Sequence, residues 1–235
     1  MKLLAIESSG QVAGAAVLQD DQILAEFTLN NKMTHSQTLL PMIAQLQELL
    51  NLDLDTLDAI AVSKGPGSFT GLRIGAATAK GLGLALEKPI IAVPTVDALA
   101  FNLAGTKGLI CPLMNARRNQ TYTGIYRFSG TETEILREQS CVSLAEILAD
   151  LNLRGEEVTF LGDGVSVFRE QIEEVCTVPH MYAASHLSLQ RAGALAVLAA
   201  QYFARGETVS ADDFAPSYLR LPQAERERLE KENNG

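Results

Sequence analysis

The chain has 235 residues, of which 47% are apolar and 20% are charged. This length suits one large domain or two lobes of about 100 residues each, and it buries enough apolar surface to need no disulfide or metal for stability. The net charge of −9 excludes a protein that holds nucleic acid alone by neutralising phosphates, because that mode needs clustered Lys and Arg.

The sequence predicts a cytoplasmic location and no membrane partner. The apolar run after Met1 ends at the acidic Glu7, which differs from a signal peptide, and the apolar stretch 192–200 is too short to cross a bilayer. Three widely spaced cysteines without a C-x-x-C pair indicate free thiols in a reducing compartment.

The first half of the chain predicts a three-stranded meander followed by alternating helices and strands. The predicted strands cover residues 2–7, 14–18, 23–29, 57–62 and 90–93, and the predicted helices cover residues 35–50, 71–87 and 95–104. A meander followed by strand–helix alternation is typical of a mixed sheet with helices on its faces.

The second half repeats this order. Its predicted strands cover residues 109–114, 121–128, 135–142 and 158–161, and its predicted helices cover residues 144–151 and 164–174. The repetition indicates a duplicated lobe, with a first lobe at 1–104, a second lobe at 105–222 and a polar tail at 223–235. A long Ala-rich helix at 187–205 can pack back on the first lobe.

A glycine-rich loop, Gly65–Gly71 (GPGSFTG), precedes the helix at 71–87. One interpretation is structural, since glycines permit a tight backbone path and a hydroxyl can cap the helix. The other is an anion or nucleotide site made by Gly65, Gly67, Ser68 and Thr70 at the helix N-terminus. The loop is not a Walker A motif, because no Lys-Ser/Thr pair follows its last glycine.

The helix after this loop carries small residues at every fourth position: Gly71, Gly75, Ala79 and Gly83. Apolar residues surround nearly the whole helix, which indicates burial on more than one side. Two interpretations stay open: a central helix buried within its own chain, or a helix that forms an interface with a partner.

The sequence predicts no metal site and no catalytic site. His35, His180 and His186 are scattered, so no pair shares a helix face, and His35 is interpreted as a capping or packing residue. No G-x-S-x-G motif supports a serine hydrolase, which disfavours a peptidase.

Several segments together resemble the TsaB (YeaZ) family, and the resemblance covers the whole chain. These segments are Leu4–Ser9 (LAIESS), His35–Pro41 (HSQTLLP), Gly65–Gly75 (GPGSFTGLRIG), Asn115–Arg118 (NARR) with Tyr122, Gly162–Gly164 (GDG) and Pro216–Arg220 (PSYLR). The GPGSFTGLRIG run with HSQ is the most specific of them.

The resemblance implies an α/β fold with two lobes, the actin/sugar-kinase/heat-shock ATPase-like (duplicated ribonuclease H-like) fold, in which helices flank mixed sheets. It also implies a subunit of the complex that transfers a threonylcarbamoyl group to N6 of the adenosine beside the tRNA anticodon. The implied partners are a TsaD-type subunit that carries the metal and active site, and a TsaE-type ATPase. Contact with tRNA is then expected only through the complex.

Two positions depart from the family pattern, since Glu7 and Asn115 stand where the family usually has Asp. Asn115 is neutral at every pH, so it cannot serve as a base or as an anionic metal ligand. We therefore expect a non-catalytic scaffold subunit with no tightly bound cofactor and at most weak nucleotide binding. The alternatives are a small ATP-dependent kinase or ATPase of the same fold and a metal-dependent acyltransferase or peptidase.

The helices 35–50 and 71–87 are predicted to lie side by side and to form the partner surface. The candidate contact residues are Met42, Leu46, Arg73, Ala77, Lys80 and Leu84. Without the partner, two copies would pair through the same helices as a homodimer that buries the apolar patch in a four-helix bundle.

Overall fold

Two five-stranded sheets with the same strand order form the framework of the protein, as described by a computed structural model for residues 1–31 and 33–220. The predicted polar tail at 223–235 lies outside the described residues. The first sheet contains β1 (Lys2–Glu7), β2 (Ala13–Gln19), β3 (Gln22–Leu29), β4 (Ala59–Gly65) and β5 (Ile90–Pro94). The first lobe also contains helices α1 (His35–Leu50), α2 (Phe69–Ala85) and α3 (Thr95–Ala100).

The first sheet has the strand order β3-β2-β1-β4-β5. Strands β1, β2 and β3 are antiparallel, while β4 is parallel to both β1 and β5. Strand β1 is a nearly continuous apolar run because helices cover both faces of the sheet.

The second sheet repeats this arrangement. It contains β6 (Leu109–Asn115), β7 (Gln120–Ser129), β8 (Glu132–Ser143), β9 (Val158–Leu161) and β10 (His180–Tyr182), together with helices α4 (Leu144–Arg154) and α5 (Gly164–Val175). Its order, β8-β7-β6-β9-β10, matches the first sheet strand for strand. This duplication confirms the two-lobed actin/sugar-kinase/heat-shock ATPase-like fold; the short edge strand β10 was not predicted.

Three apolar cores stabilise the layers. One lies between the first sheet and α1 with α2, and another lies between the second sheet and α4 with α5. The third joins the lobes, since it combines residues of both sheets with α3 and with α6 (Ala192–Ala204). Helix α6 packs against β1, β2 and β5 of the first sheet, although it follows the second lobe in the chain.

Several element bounds differ from the sequence prediction, and two of these differences have identifiable local reasons. Strand β4 begins at Ala59, because residues Leu54–Thr56 form a 3₁₀ turn whose start is capped by the Asp53 carboxylate. Helix α6 begins at Ala192, because Asn102 holds the preceding segment by donating to the carbonyl oxygens of Leu187 and Leu189. Among the residues that the structure describes, no helix is both long and apolar enough to span a membrane.

Candidate partner interface and inter-lobe cleft

A cleft of about 580 Å³ opens between the two lobes. The first lobe contributes the β1–β2 turn and the start of α2. The second lobe contributes the tip of the β6–β7 hairpin and Asp163, and the chain segment 218–220 closes one side. The lining residues that matter below are Ser9, Gln11, Ser68, Asn115, Asp163 and Arg220.

Glu7 ends β1 directly beneath the cleft but does not line it. Its side chain is buried, and its carboxylate accepts hydrogen bonds from the backbone N–H of Ser9 (2.7 Å), from Ser9 Oγ (2.5 Å) and from Ser63 Oγ. Burial raises the pKa of the Glu7 carboxyl above its ordinary value. The acid of the first hairpin is therefore enclosed by its own turn and by β4, and it holds that turn in place.

Asn115 ends β6 at the equivalent place in the second lobe. The side-chain oxygen of Asn115 accepts a hydrogen bond from the backbone N–H of Arg117 (2.9 Å). The backbone N–H of Asn115 donates to Oδ1 of Asp163 (3.1 Å). Burial raises the pKa of the Asp163 carboxyl. Its second oxygen, Oδ2, lies 3.5 Å from Nε2 of Gln11 in the first lobe. Within residues 1–31 and 33–220, no group of three or more His, Cys, Asp or Glu residues is arranged to hold a metal ion.

The glycine-rich loop packs tightly on the β1–β2 turn. A Cβ atom at Gly67 would lie 2.3 Å from the carbonyl oxygen of Ser9, and the Ser68 N–H donates to that same oxygen (2.7 Å). Gly65 has a φ of 113° and lies against the carbonyl oxygen of Ser217. The two glycines are therefore required for close backbone contacts within the chain.

Ser68 caps α2 through its hydroxyl, which accepts from the N–H of Gly71 (3.3 Å), while Thr70 is exposed beside it. This geometry agrees with the structural interpretation of the loop. The anion or nucleotide site at this loop stays a prediction. The Ser68 N–H is already hydrogen-bonded to the Ser9 carbonyl oxygen. His35, at the start of α1, likewise has a packing role, since Nε2 is hydrogen-bonded to the Gly10 carbonyl (2.9 Å).

The stripe of small residues on α2 is covered by the protein's own chain. Added Cβ atoms would lie 2.1 Å from Ser8 O at Gly71, 2.2 Å from Ser8 Oγ at Gly75 and 2.9 Å from Ala211 Cβ at Gly83. The small side chains therefore allow close intramolecular packing, and this stripe is not available to a partner.

The opposite side of α2 is exposed. Arg73, Ala77, Gly81 and Leu84 follow helical spacing on one face, and Leu84 is 51% exposed. Helix α1 contacts α2 and adds the half-buried Met42 and Leu49, which is 66% exposed. The two adjacent helices thus present an apolar surface, which we call the α1–α2 surface.

One of the six predicted interface residues is wrong as a surface contact, since Leu46 is fully buried in the core beneath α1. Lys80 is half-buried, and its ammonium group donates to the carbonyl oxygens of Asp212 (2.9 Å) and Phe214 (3.0 Å) within the chain. Its role as rim charge at the interface stays a prediction. The candidates that remain on the α1–α2 surface are Met42, Arg73, Ala77, Lys80 and Leu84.

The sequence analysis missed Leu49 as a surface residue, and it did not place the β6–β7 hairpin at the cleft. The tip of that hairpin has three consecutive left-handed residues, Arg117, Arg118 and Asn119, with φ values of 63°, 52° and 57°. Polar residues between two predicted strands are the sequence signal that could have identified this tip.

Comparisons with known proteins agree with this two-lobed architecture. A family model described as "TsaD: tRNA N6-adenosine threonylcarbamoyltransferase" matches residues 22–228. The "tRNA threonylcarbamoyladenosine biosynthesis protein TsaB" of Bacillus subtilis is 34% identical over 99% of this chain and 100% of its own length. The protein of the same name from Escherichia coli is 31% identical over 94% of this chain and 95% of its own length.

The solved structure "YeaZ from Pseudomonas aeruginosa" superposes with a TM-score of 0.79 at 28% identity, covering 93% of this chain and 99% of that one. The fold and the sequence matches define a two-lobed protein of the TsaD-like class. Within that class, the chain belongs to the TsaB (YeaZ) family of tRNA threonylcarbamoyladenosine biosynthesis proteins.

Proposed function

We propose that this chain is a non-catalytic subunit of tRNA threonylcarbamoyladenosine biosynthesis and binds a TsaD-type catalytic subunit through the α1–α2 surface. The observation that carries the proposal is the exposure of Leu49, Ala77 and Leu84 on two helices that pack side by side. Exposed apolar residues on adjacent helices are typical of association sites, since water contact with them costs free energy that a partner removes.

The arrangement of the two hairpins supports the non-catalytic role. Glu7 is buried and accepts three hydrogen bonds within the chain, so its carboxylate is already engaged. Asn115 uses its side-chain oxygen within its own turn and carries no charge. A kinase or ATPase needs acidic groups that reach the phosphate chain and its metal, and neither hairpin offers one.

The proposal includes three further expectations about partners. Without the TsaD-type subunit, two copies of the chain pair through the same surface; with it, the heterodimer replaces this homodimer. A TsaE-type ATPase joins the assembled complex, and tRNA binds only to that complex, since the net charge of −9 opposes phosphate binding by this chain alone. No cofactor binds tightly, and nucleotide binding at Ser68 and Thr70 is at most weak.

Reconstitution tests the proposal directly. The chain, a TsaD-type subunit, a TsaE-type ATPase and a source of threonylcarbamoyl-AMP are incubated with unmodified tRNA, and modified adenosine is measured by mass spectrometry after nuclease digestion. We expect product only when both this chain and the TsaD-type subunit are present. The Asn115→Asp variant alone should also remain inactive, and turnover by the isolated wild-type chain would contradict the proposal.

A further inference from the structure

Residues 207–220 leave the end of α6 and return across the first lobe, and we call this segment the strap. It begins by pairing with the edge strand β5, where Val209 and Ile90 exchange two backbone hydrogen bonds of 2.9 Å. This contact covers part of the sheet edge and sets the path of the strap toward α2.

The middle of the strap is anchored on α2. Ala211 and Phe214 are buried in the same core as α1 and α2. Lys80 of α2 donates hydrogen bonds to the strap carbonyls of Asp212 and Phe214. The strap is thus fixed along α2 by both apolar burial and a charged donor.

The end of the strap runs from α2 to the second lobe. The Tyr218 ring contacts the Phe69 ring at the start of α2 in a tilted arrangement, with ring centroids 5.0 Å apart. The guanidinium of Arg73 lies 4.0 Å over the same Phe69 ring. Arg220 then crosses the cleft and donates from Nη1 to the carbonyl oxygen of Ala116 in the β6–β7 hairpin.

The two sides of the cleft are held together very differently. Behind it, a buried apolar core joins both sheets through α3 and α6. Hydrogen bonds cross its mouth. In the part of the chain that the structure describes, they include the 3.5 Å contact from Gln11 Nε2 to Asp163 Oδ2 and the bond from Arg220 to the Ala116 carbonyl oxygen. A single hydrogen bond contributes little net free energy, so the mouth can open while the buried core stays intact.

We propose that the strap closes the mouth of the inter-lobe cleft and links that mouth to the α1–α2 surface. Arg220 holds the hairpin tip, and the tip contains the three left-handed residues that favour movement once that contact is lost. Phe69 and Arg73 join the strap to the exposed side of α2.

The link to the surface rests on the proposed function. A partner that buries Arg73 also removes water from the cluster of Arg73, Phe69 and Tyr218, and this strengthens the attachment of the strap. By thermodynamic reciprocity, partner binding then closes the mouth, and a closed mouth favours partner binding.

Hydrogen–deuterium exchange of the full chain tests the closing contact without any partner. The Arg220→Ala variant should accelerate exchange about tenfold at the amides of Ala116 and Gln120, whose hydrogen bonds close the hairpin tip. Lys80→Met, which loosens the middle of the strap and keeps the apolar stem, should accelerate the same amides. The matched control is Arg127→Ala, which removes exposed ion pairs with Glu134 and Glu156 in the second lobe, away from the strap.

Exchange at Ala116 and Gln120 within twofold of the wild type in Arg220→Ala would overturn the closing role of the strap, whatever the partner does. The link is tested by adding the TsaD-type subunit to the wild type, where the amides of Val209 and Ser217 should exchange about fivefold more slowly. A complex that leaves these amides unchanged overturns the link alone. Absence of a complex overturns the proposed function and the link, but not the closing contact measured in the isolated chain.

Discussion

The phenol of Tyr126 in the second lobe donates a 2.7 Å hydrogen bond to Oδ1 of Asp97 in the first lobe, and both side chains are buried between the lobes. Burial raises the pKa of Asp97 from 3.8 to about 6, and the nearby Glu138 acts in the same direction. The hydrogen bond from Tyr126 and the charge of Lys64 oppose this shift. One of the contacts that join the lobes therefore contains a carboxyl group whose pKa of about 6 is close to neutral pH.

Asp97→Asn should stabilise the protein at neutral pH. Because the pKa of Asp97 is raised in the folded protein, the native state favours the protonated carboxyl. The contribution of Asp97 to the free energy of unfolding is therefore fully present below its pKa in the unfolded chain and is lost as the pH rises through about 6. Asn keeps an acceptor for Tyr126 without the charge. We expect the free energy of unfolding to rise by about 2 kcal/mol at about pH 7.5, and by almost nothing below about pH 4.

Chemical denaturation across this pH range measures the effect. Asp21→Asn is the control, since Asp21 is exposed in the β2–β3 turn and its removal should not produce the same pH dependence. If Asp97→Asn shows an equal change at both ends of the range, the raised pKa of Asp97 does not couple to folding.

The glycines of α2 should respond to alanine in opposite directions. In Gly71→Ala the new Cβ would lie 2.1 Å from the Ser8 carbonyl oxygen, so the helix must move, and we expect a loss of about 2 kcal/mol or more. Gly81→Ala meets no atom within 4 Å and should stabilise the protein by about 0.5–1 kcal/mol through helix propensity. Thermal denaturation of the two variants distinguishes them, and equal effects would refute the packing role of Gly71.

Leu46 and Leu49 lie three positions apart on α1 but should behave differently. Leu46→Ala removes a fully buried side chain and should cost about 2–5 kcal/mol of stability. Leu49→Ala removes a side chain that is 66% exposed and should change stability by less than about 0.5 kcal/mol. Denaturant titration checks both values, and a small loss for Leu46→Ala would contradict its assignment to the core.

Much of the fold follows from local sequence patterns. The duplication was predictable because each half begins with three apolar runs separated by turn residues, and α1 was predicted with its observed bounds at His35 and Leu50. A hydroxyl of the glycine-rich loop, Ser68 or Thr70, was also predicted to cap α2, because a hydroxyl before a helical pattern is a local signal, and the cap is Ser68. These features depend on neighbouring residues only.

The exposed face of α2 could not be predicted in the same way. Its sequence is apolar or small on nearly every side, so periodicity alone did not show that Ser8 and Ala211 cover the small stripe. The engagement of Lys80 depends on carbonyl groups more than 130 positions away, at Asp212 and Phe214. Such long-range contacts arise from the path of the strap, and no local pattern specifies them.

The affinity of charge variants for the TsaD-type subunit tests the central claim most directly. Isothermal titration calorimetry compares the wild type with Leu84→Glu and Ala77→Glu, both on the α1–α2 surface, and with Leu153→Glu, whose side chain on α4 is 88% exposed. We expect all three variants to fold. The first two should bind at least about 30-fold more weakly, since an unpaired carboxylate buried in an interface costs about 2 kcal/mol or more, and Leu153→Glu should bind like the wild type. Full affinity of folded Leu84→Glu and Ala77→Glu would show that the partner binds elsewhere.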